Sequence, residues 1–197
     1  MKAILLIGFL ALALLLAPMV PTSTGPYEDG FAAYERNDYA TALKFWRPLA
    51  EQGDAEAQFS LGGMYADGRG VSQDNAKAMI WRRKAAEQGH AAAQALLGGL
   101  YDHGLGVSED DVEAAKWYRL AAEQGDAEAQ SNLGNMYVNG EGVPQDYVLA
   151  HLWFNLAAAQ GGESARENRD IAAKRMTPDQ FAEAQRMARE WMAKHQQ

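Results

Sequence analysis

No cysteine occurs anywhere in the 197 residues. Disulfides, zinc–thiolate sites, iron–sulfur clusters and a cysteine nucleophile are therefore excluded together. Histidine is scarce: His90, His103, His151 and His195 are the four present. None of them forms a His-x-x-x-His or His-Glu-x-x-His pair, so the helical metal-site patterns are missing. No Gly-x-Ser-x-Gly elbow and no Ser-x-x-Lys occurs either, which removes two common settings for a serine nucleophile. The carboxylates are spread over helix starts and polar faces, with no pair marked for acid–base work. Positive charge is the minority, with 18 Lys+Arg against 26 Asp+Glu and a net charge of −8. Such a chain repels phosphate backbones, which argues against nucleic acid as a partner. What remains is an ordinary globular composition, 48% hydrophobic and 22% charged.

The one long apolar run is at the start. Met1 and Lys2 precede Ala3 to Ala17, and Pro18 to Thr24 form a small, polar exit. This is the pattern of a secretory signal peptide over 1–24, with cleavage expected after Thr22 or Thr24. The expected location is periplasmic or secreted. The alternative is an uncleaved anchor, since Ala3 to Val20 approaches the length that spans a bilayer. Any membrane association is expected through this leader alone.

The remainder repeats. Gly53, Gly89, Gly125 and Gly161 stand 36 residues apart, and Gln58/Gln94/Gln130, Leu61/Leu97/Leu133 and Tyr65/Tyr101/Tyr137 keep the same step. Phe45, Trp81, Trp117 and Trp153 form an aromatic column in the same register. A fixed period of this length is the mark of a solenoid. Each unit reads as two helices. The first covers about 54–67, with Ala57, Leu61, Met64 and Tyr65 on one stripe; the second covers about 74–88, with Ala78, Trp81 and Ala85 on another. Asp54, Asp126 and, as a variant, His90 sit where an N-cap belongs. Gly68-Arg69-Gly70-Val71 makes the corner, its glycines supplying positive φ. Gly62, Gly98 and Gly134 lie inside first helices, where each costs roughly 1 kcal/mol against alanine. The repetition of that cost predicts close approach of the partner helix.

The segments AEAQFSLGGMYADGRGVSQD at 55–74, AAAQALLGGLYDHGLGVSED at 91–110 and AEAQSNLGNMYVNGEGVPQD at 127–146, with Trp-x-x-x-Ala-Ala-Glu-Gln-Gly at 81–89 and 117–125, resemble the Sel-one-like repeat family. That family is related to the tetratricopeptide repeat. The resemblance covers about 27–176. It implies an all-α, right-handed superhelical solenoid of antiparallel helix pairs, common in exported bacterial proteins and used as a binding scaffold. Residues 25–53 form a degenerate N-terminal pair, and 54–161 hold three full repeats. Residues 162–197 supply a degenerate half repeat and a C-terminal capping helix, opened by the capping box Thr177-Pro178-Asp179-Gln180. Phe181, Ala184, Ala188 and Trp191 form its apolar stripe and cover the open end of the stack. Some cysteine-rich relatives are labelled β-lactamases. The missing cysteines and missing Ser-x-x-Lys set this chain apart from them.

Residues shared between repeats hold the repeat together; those that differ are free for a ligand. By the same resemblance the first helices line a concave groove. Its variable slots are Glu56/Ala92/Glu128, Phe59/Ala95/Ser131, Ser60/Leu96/Asn132, Gly63/Gly99/Asn135, Ala66/Asp102/Val138 and Asp67/His103/Asn139, and the residues expected to bind are Glu56, Phe59, Ser60, Asp102, His103, Glu128, Asn132, Asn135 and Asn139. The three asparagines are three and four residues apart and share one helical face. Their amides both donate and accept, which suits a peptide backbone. A second variable row, Arg47, Arg83, Arg119 and Asn155, lies on the second helices. The expected function is non-enzymatic binding of a protein or peptide, with no metal and no cofactor. A hydrolase acting on cell-wall material or β-lactams is the alternative, and a membrane-tethered adaptor is another.

Overall fold

The computed structural model describes residues 25–195. The leader expected over 1–24 lies outside them. The described residues form ten α-helices and no strand: α1 (Pro26–Glu35), α2 (Tyr39–Glu51), α3 (Ala55–Asp67), α4 (Asn75–Glu87), α5 (Ala91–Asp102), α6 (Asp111–Glu123), α7 (Ala127–Asn139), α8 (Tyr147–Ala159), α9 (Glu163–Ala173) and α10 (Pro178–His195). Each helix from α1 to α8 packs on the next, and α10 folds back onto α8. Within a pair the helices run antiparallel. The Asp74 N–H donates to the Tyr65 carbonyl at the corner, Gly62 faces Ala78 and Arg82 midway, and Gln58 meets Gln88 at the far end.

Helix starts are capped by the residues the repeat supplies. Asp38, Asp54, Asp74, Asp110, Asp126 and Asp146 each accept a backbone N–H of the first turn. His90 does so through Nδ1, 3.1 Å from the Ala93 nitrogen. Each cap satisfies a backbone donor that the helix start leaves unpaired. At α10 the box is reciprocal. The Thr177 N–H donates to Gln180 Oε1 at 2.9 Å, and the Gln180 N–H donates to Thr177 Oγ1 at 3.3 Å.

The mid-helix glycines are helix crossings. A β-carbon on Gly98 would stand 2.5 Å from the Tyr118 ring, and one on Gly134 would stand 2.7 Å from the Phe154 ring. Neither contact is sterically allowed, so the helix-propensity cost is accepted where two backbones must come close.

A chain of buried glutamines fastens one unit to the next. Gln58, Gln94 and Gln130 donate to the carbonyls of Ala50, Ala86 and Ala122 at 2.9–3.1 Å. Each then accepts from the glutamine closing its own pair, Gln88, Gln124 or Gln160, at 2.7–3.1 Å. Every buried amide thus joins three successive helices and leaves little polar capacity unmet.

The apolar core is uneven. Around α6, α7, α8 and α10 it is broad and includes Tyr118, Leu133, Met136, Leu152, Phe154 and Leu156. A second centre under α1–α3 is built on Trp46, Leu61 and Met64. Between them α4 and α5 contribute little more than Ala85, Ala86, Ala93 and Leu97, with Trp117 from α6. Ala184 and Ala188 of α10 are fully buried and Trp191 packs beside them, while Phe181 remains 37% exposed.

Candidate functional site

Helix α5 is the floor of a groove of about 630 Å³. Ala92, Ala95, Leu96, Gly99 and Leu100 line it from below, all on the same side of the helix. Phe59 of α3 stands on one side, and Asp126, Glu128 and Asn132 stand on the other. Arg82 and Tyr118 reach in from the second helices, and Leu105 from the corner that follows α5. Through Phe59 and Ala92 the groove continues into a hollow of about 400 Å³ beside α1, lined also by Glu56, Ser60, Phe31 and His90.

Tyr118 is buried at its ring, yet its hydroxyl reaches the groove. It donates to Asp102 Oδ2 at 3.3 Å and also hydrogen-bonds Asn132. Burial pushes its phenol well above the ordinary value, and the Asp102 charge adds to this, so it is a neutral donor. His90 lies at the join of the two hollows, stacked on Phe59 with ring centroids 4.6 Å apart. Its cap bond leaves the proton on Nε2, which stands 3.2 Å from Glu56 Oε2 but off the hydrogen-bond line. Ser60 Oγ shares a hydrogen bond of 3.0 Å with the Tyr27 hydroxyl.

The residues singled out from the sequence are therefore not all together. Phe59, His103, Glu128 and Asn132 line the main groove; Glu56 and Ser60 line the adjoining hollow; Asp102 sits behind Tyr118. The asparagine row divides. Asn135 accepts from Asn168 Nδ2 of α9 at 3.3 Å, and Asn139 donates to Glu141 Oε2 at 3.0 Å, so Asn132 alone of the three opens on the groove. Arg82, Leu100, Leu105 and Tyr118 belong to the site but were not among the expected residues. Their signal was available, since Arg82 and Tyr118 occupy one register position with Trp46 and Phe154.

Two of the basic side chains in the row on the second helices have structural partners. Arg83 donates to the Tyr101 hydroxyl, and Arg119 donates to the Tyr137 hydroxyl at 2.8 Å. Each bond ties a second helix to the first helix of the following pair. Among the described residues no group of three His, Asp or Glu side chains is placed to hold a metal ion. No helix among them is long and apolar enough to cross a membrane.

Comparison with known proteins gives this arrangement its relatives. The Sel1 repeat family model matches residues 24–54, 55–90, 91–126 and 127–162, so the first helix pair counts as a repeat beside the three that follow. A Sel1 repeat protein from Oxalobacter formigenes is 36% identical in sequence with a TM-score of 0.70, over 72% of this chain and 42% of that one. A protective antigen of uropathogenic Escherichia coli displaying an SLR fold is 31% identical with a TM-score of 0.53, over 86% of this chain and 45% of that one. Cysteine rich protein B of Helicobacter pylori, 24% identical with a TM-score of 0.51 over 66% of this chain and 93% of that one, shares the fold. A curated relative, an exopolysaccharide production negative regulator of Rhizobium leguminosarum bv. viciae, is 37% identical over 59 residues, which are 28% of this chain and 22% of the regulator. The chain thus spans less than half the length of the first two solved relatives and about a fifth of the regulator. With four consecutive units accounting for residues 24–162, the chain belongs to the Sel1 repeat family.

Proposed function

We propose that the protein is an exported scaffold without catalytic activity of its own, holding a protein or peptide partner in the groove over α5. Sel1 repeat proteins generally serve as protein-interaction scaffolds. The observation that carries the finer reading is the groove itself. It is extended, it crosses three repeats, and its lining comes from positions that differ between repeats, such as Phe59/Ala95 and Leu96/Asn132. Solenoids bind through such elongated concave surfaces. The Tyr118 hydroxyl with Asp102, and the Asn132 amide, offer both donors and acceptors to a peptide backbone.

The leader over 1–24 supports a periplasmic or secreted location, or tethering to the membrane where the leader is retained. The regulator's name suggests control of polysaccharide production, but a match of 59 residues, 22% of the regulator, is too short to support a shared pathway.

The test is crosslinking and pull-down from the periplasm with the wild-type chain and a Phe59→Ala/Asn132→Ala variant side by side. A partner captured by the first and lost with the second is the expected result. Equal capture would remove the groove from the reading, and turnover of cell-wall fragments or β-lactams by the purified chain would replace the scaffold with a hydrolase.

A further inference from the structure

Trp46, Arg82, Tyr118 and Phe154 stand at one register position on the second helices. Each crosses a glycine of its partner helix: Trp46 lies on Gly30, Tyr118 on Gly98, Phe154 on Gly134 and Arg82 on Gly62. Three of the four fill the crossing with a ring. Arginine fills it with its stem, Cγ lying 2.9 Å from where a β-carbon on Gly62 would sit. Its charged end must go elsewhere.

That end has no hydrogen-bond or ion-pair partner among the described residues. Arg82 Nε is buried and makes no hydrogen bond among the described residues. Burial pushes the guanidinium below its ordinary pKa, opposed only by the charge of Asp67. Asp67 is itself paired with Arg69 at 3.3 Å. Arg82 also stands where two cavities meet. The groove over α5 and a second opening of about 640 Å³ between α4 and the 103–107 corner share Arg82, Leu100 and Leu105. Leu105 is 58% exposed. An unmatched guanidinium beside the exposed Leu105 and the half-buried Leu100 lacks a carboxylate and an apolar side chain.

We propose that Arg82 anchors the partner in this groove by taking the carboxylate of an aspartate or glutamate side chain in an extended peptide, while Leu100 and Leu105 receive the apolar residue beside it. The inference rests on the groove being the docking surface. A side-chain acid is favoured over a chain end because space continues on both sides of Arg82, so the peptide passes through. The guanidinium's planar fork suits a carboxylate bidentately. Asp126 and Glu128 on the far wall repel further acids, so the motif is a single acid set among apolar residues and not an acidic run.

The probe is a phage-displayed random dodecapeptide library panned on the full chain, followed by fluorescence anisotropy on the selected peptides. The expected result is enrichment of one Asp or Glu flanked by Leu, Ile or Phe. Exchange of that acid for its amide then weakens binding by roughly tenfold to a hundredfold, the worth of a charge-assisted hydrogen bond. In Arg82→Met, which keeps the stem that fills the crossing, the acid and amide peptides bind alike. In Arg82→Lys the preference for the acid returns in part. Thermal melts show whether each variant is folded; if Arg82→Met is not, the acid-to-amide exchange on the wild-type chain and Arg82→Lys decide. Peptides that are lost with Phe59→Ala/Asn132→Ala but carry no acid, or whose amide form binds equally, overturn the role of Arg82 and leave the groove standing. Peptides indifferent to Phe59 and Asn132, or no selected peptide at all, overturn both.

Discussion

The same corner motif closes tightly in one part of the molecule and stands open in another. After α7, a β-carbon on Gly142 would lie 2.0 Å from the Asp111 carbonyl, so that corner rests directly on the start of α6. After α3, Gly70 rests in the same way on Tyr39 and Leu43 of α2. After α5, the equivalent Gly106 has nothing within 4 Å, and the opening of about 640 Å³ lies between it and α4. The motif is Gly-x-Gly-Val in all three, with positive φ at each glycine. The difference comes from the second helices. The helices beneath the seated corners bury large rings, Trp117 and Tyr118 on α6 and Trp46 on α2, whereas α4 buries Ala78, Ala85 and Ala86 and leaves Ile80 54% exposed. A shared backbone motif sets where a corner bends; the apolar volume of the helix beneath decides whether it seats.

Substituting the crossing residues of the richly packed α8 and the thinly packed α4 is the strongest way to break that contrast. Phe154 is 1% exposed, and Phe154→Ala is expected to cost about 3–5 kcal/mol in urea unfolding. Arg82→Leu at the equivalent position removes a buried nitrogen without a partner and is expected to stabilise by about 1 kcal/mol. Equal losses at the two sites would show that the open crossing is as well packed as the closed one.

A smaller effect tests what both regions share. Gln130→Leu strands the buried Ala122 carbonyl, while the exposed Gln160 amide keeps its bond to the Gly125 carbonyl. Each buried polar group left unmet costs about 1–3 kcal/mol, and the urea midpoint should fall accordingly. An unchanged midpoint would mean that the relay adds no net stability.

The mildest test loosens only the closed end. His151 of α8 is 3% exposed and meets the Phe181 ring of α10 edge-on at 5.2 Å. Burial holds its imidazole below the usual histidine range; Arg169 reinforces this and Asp170 opposes it. The folded chain therefore keeps His151 neutral, while the unfolded chain takes a proton near pH ~6.5. Its contribution is intact above that pH and declines as pH falls below it, until the lowered folded value is reached. The unfolding midpoint of wild type should drop more between pH 7 and pH 5 than that of His151→Phe. Parallel curves would contradict the assignment.

Much of this was legible in the residues. The 36-residue register, the caps at Asp54, Asp126 and His90, the box at Thr177 and Gln180, and the close crossings at Gly98 and Gly134 follow from local chemistry that needs no knowledge of neighbours. The asparagine row did not transfer as a unit. Helical spacing states which side chains share a face, but not that α9 lies across from Asn135 or that Glu141 curls back to Asn139. Arg82 is masked for a different reason. The aromatic column at Phe45, Trp81, Trp117 and Trp153 lies one residue away from the column whose exception bears on the site. The glutamines were visible as a register, but an amide's role depends on carbonyls eight residues back, on another helix.

That relay has a mechanical consequence. All its bonds lie at the edge where α2 meets α3, α4 meets α5, and α6 meets α7, opposite the Gly-x-Gly corners. Neighbouring units are hinged along one margin like the leaves of a fan; at the other the corners after α3 and α7 are seated and the one after α5 is open. Widening beside Arg82 is therefore an angular opening about the glutamine margin and not a slide of one repeat past the next. A side chain wedged there would change the curvature of the whole stack while its spacing along the hinge stayed constant.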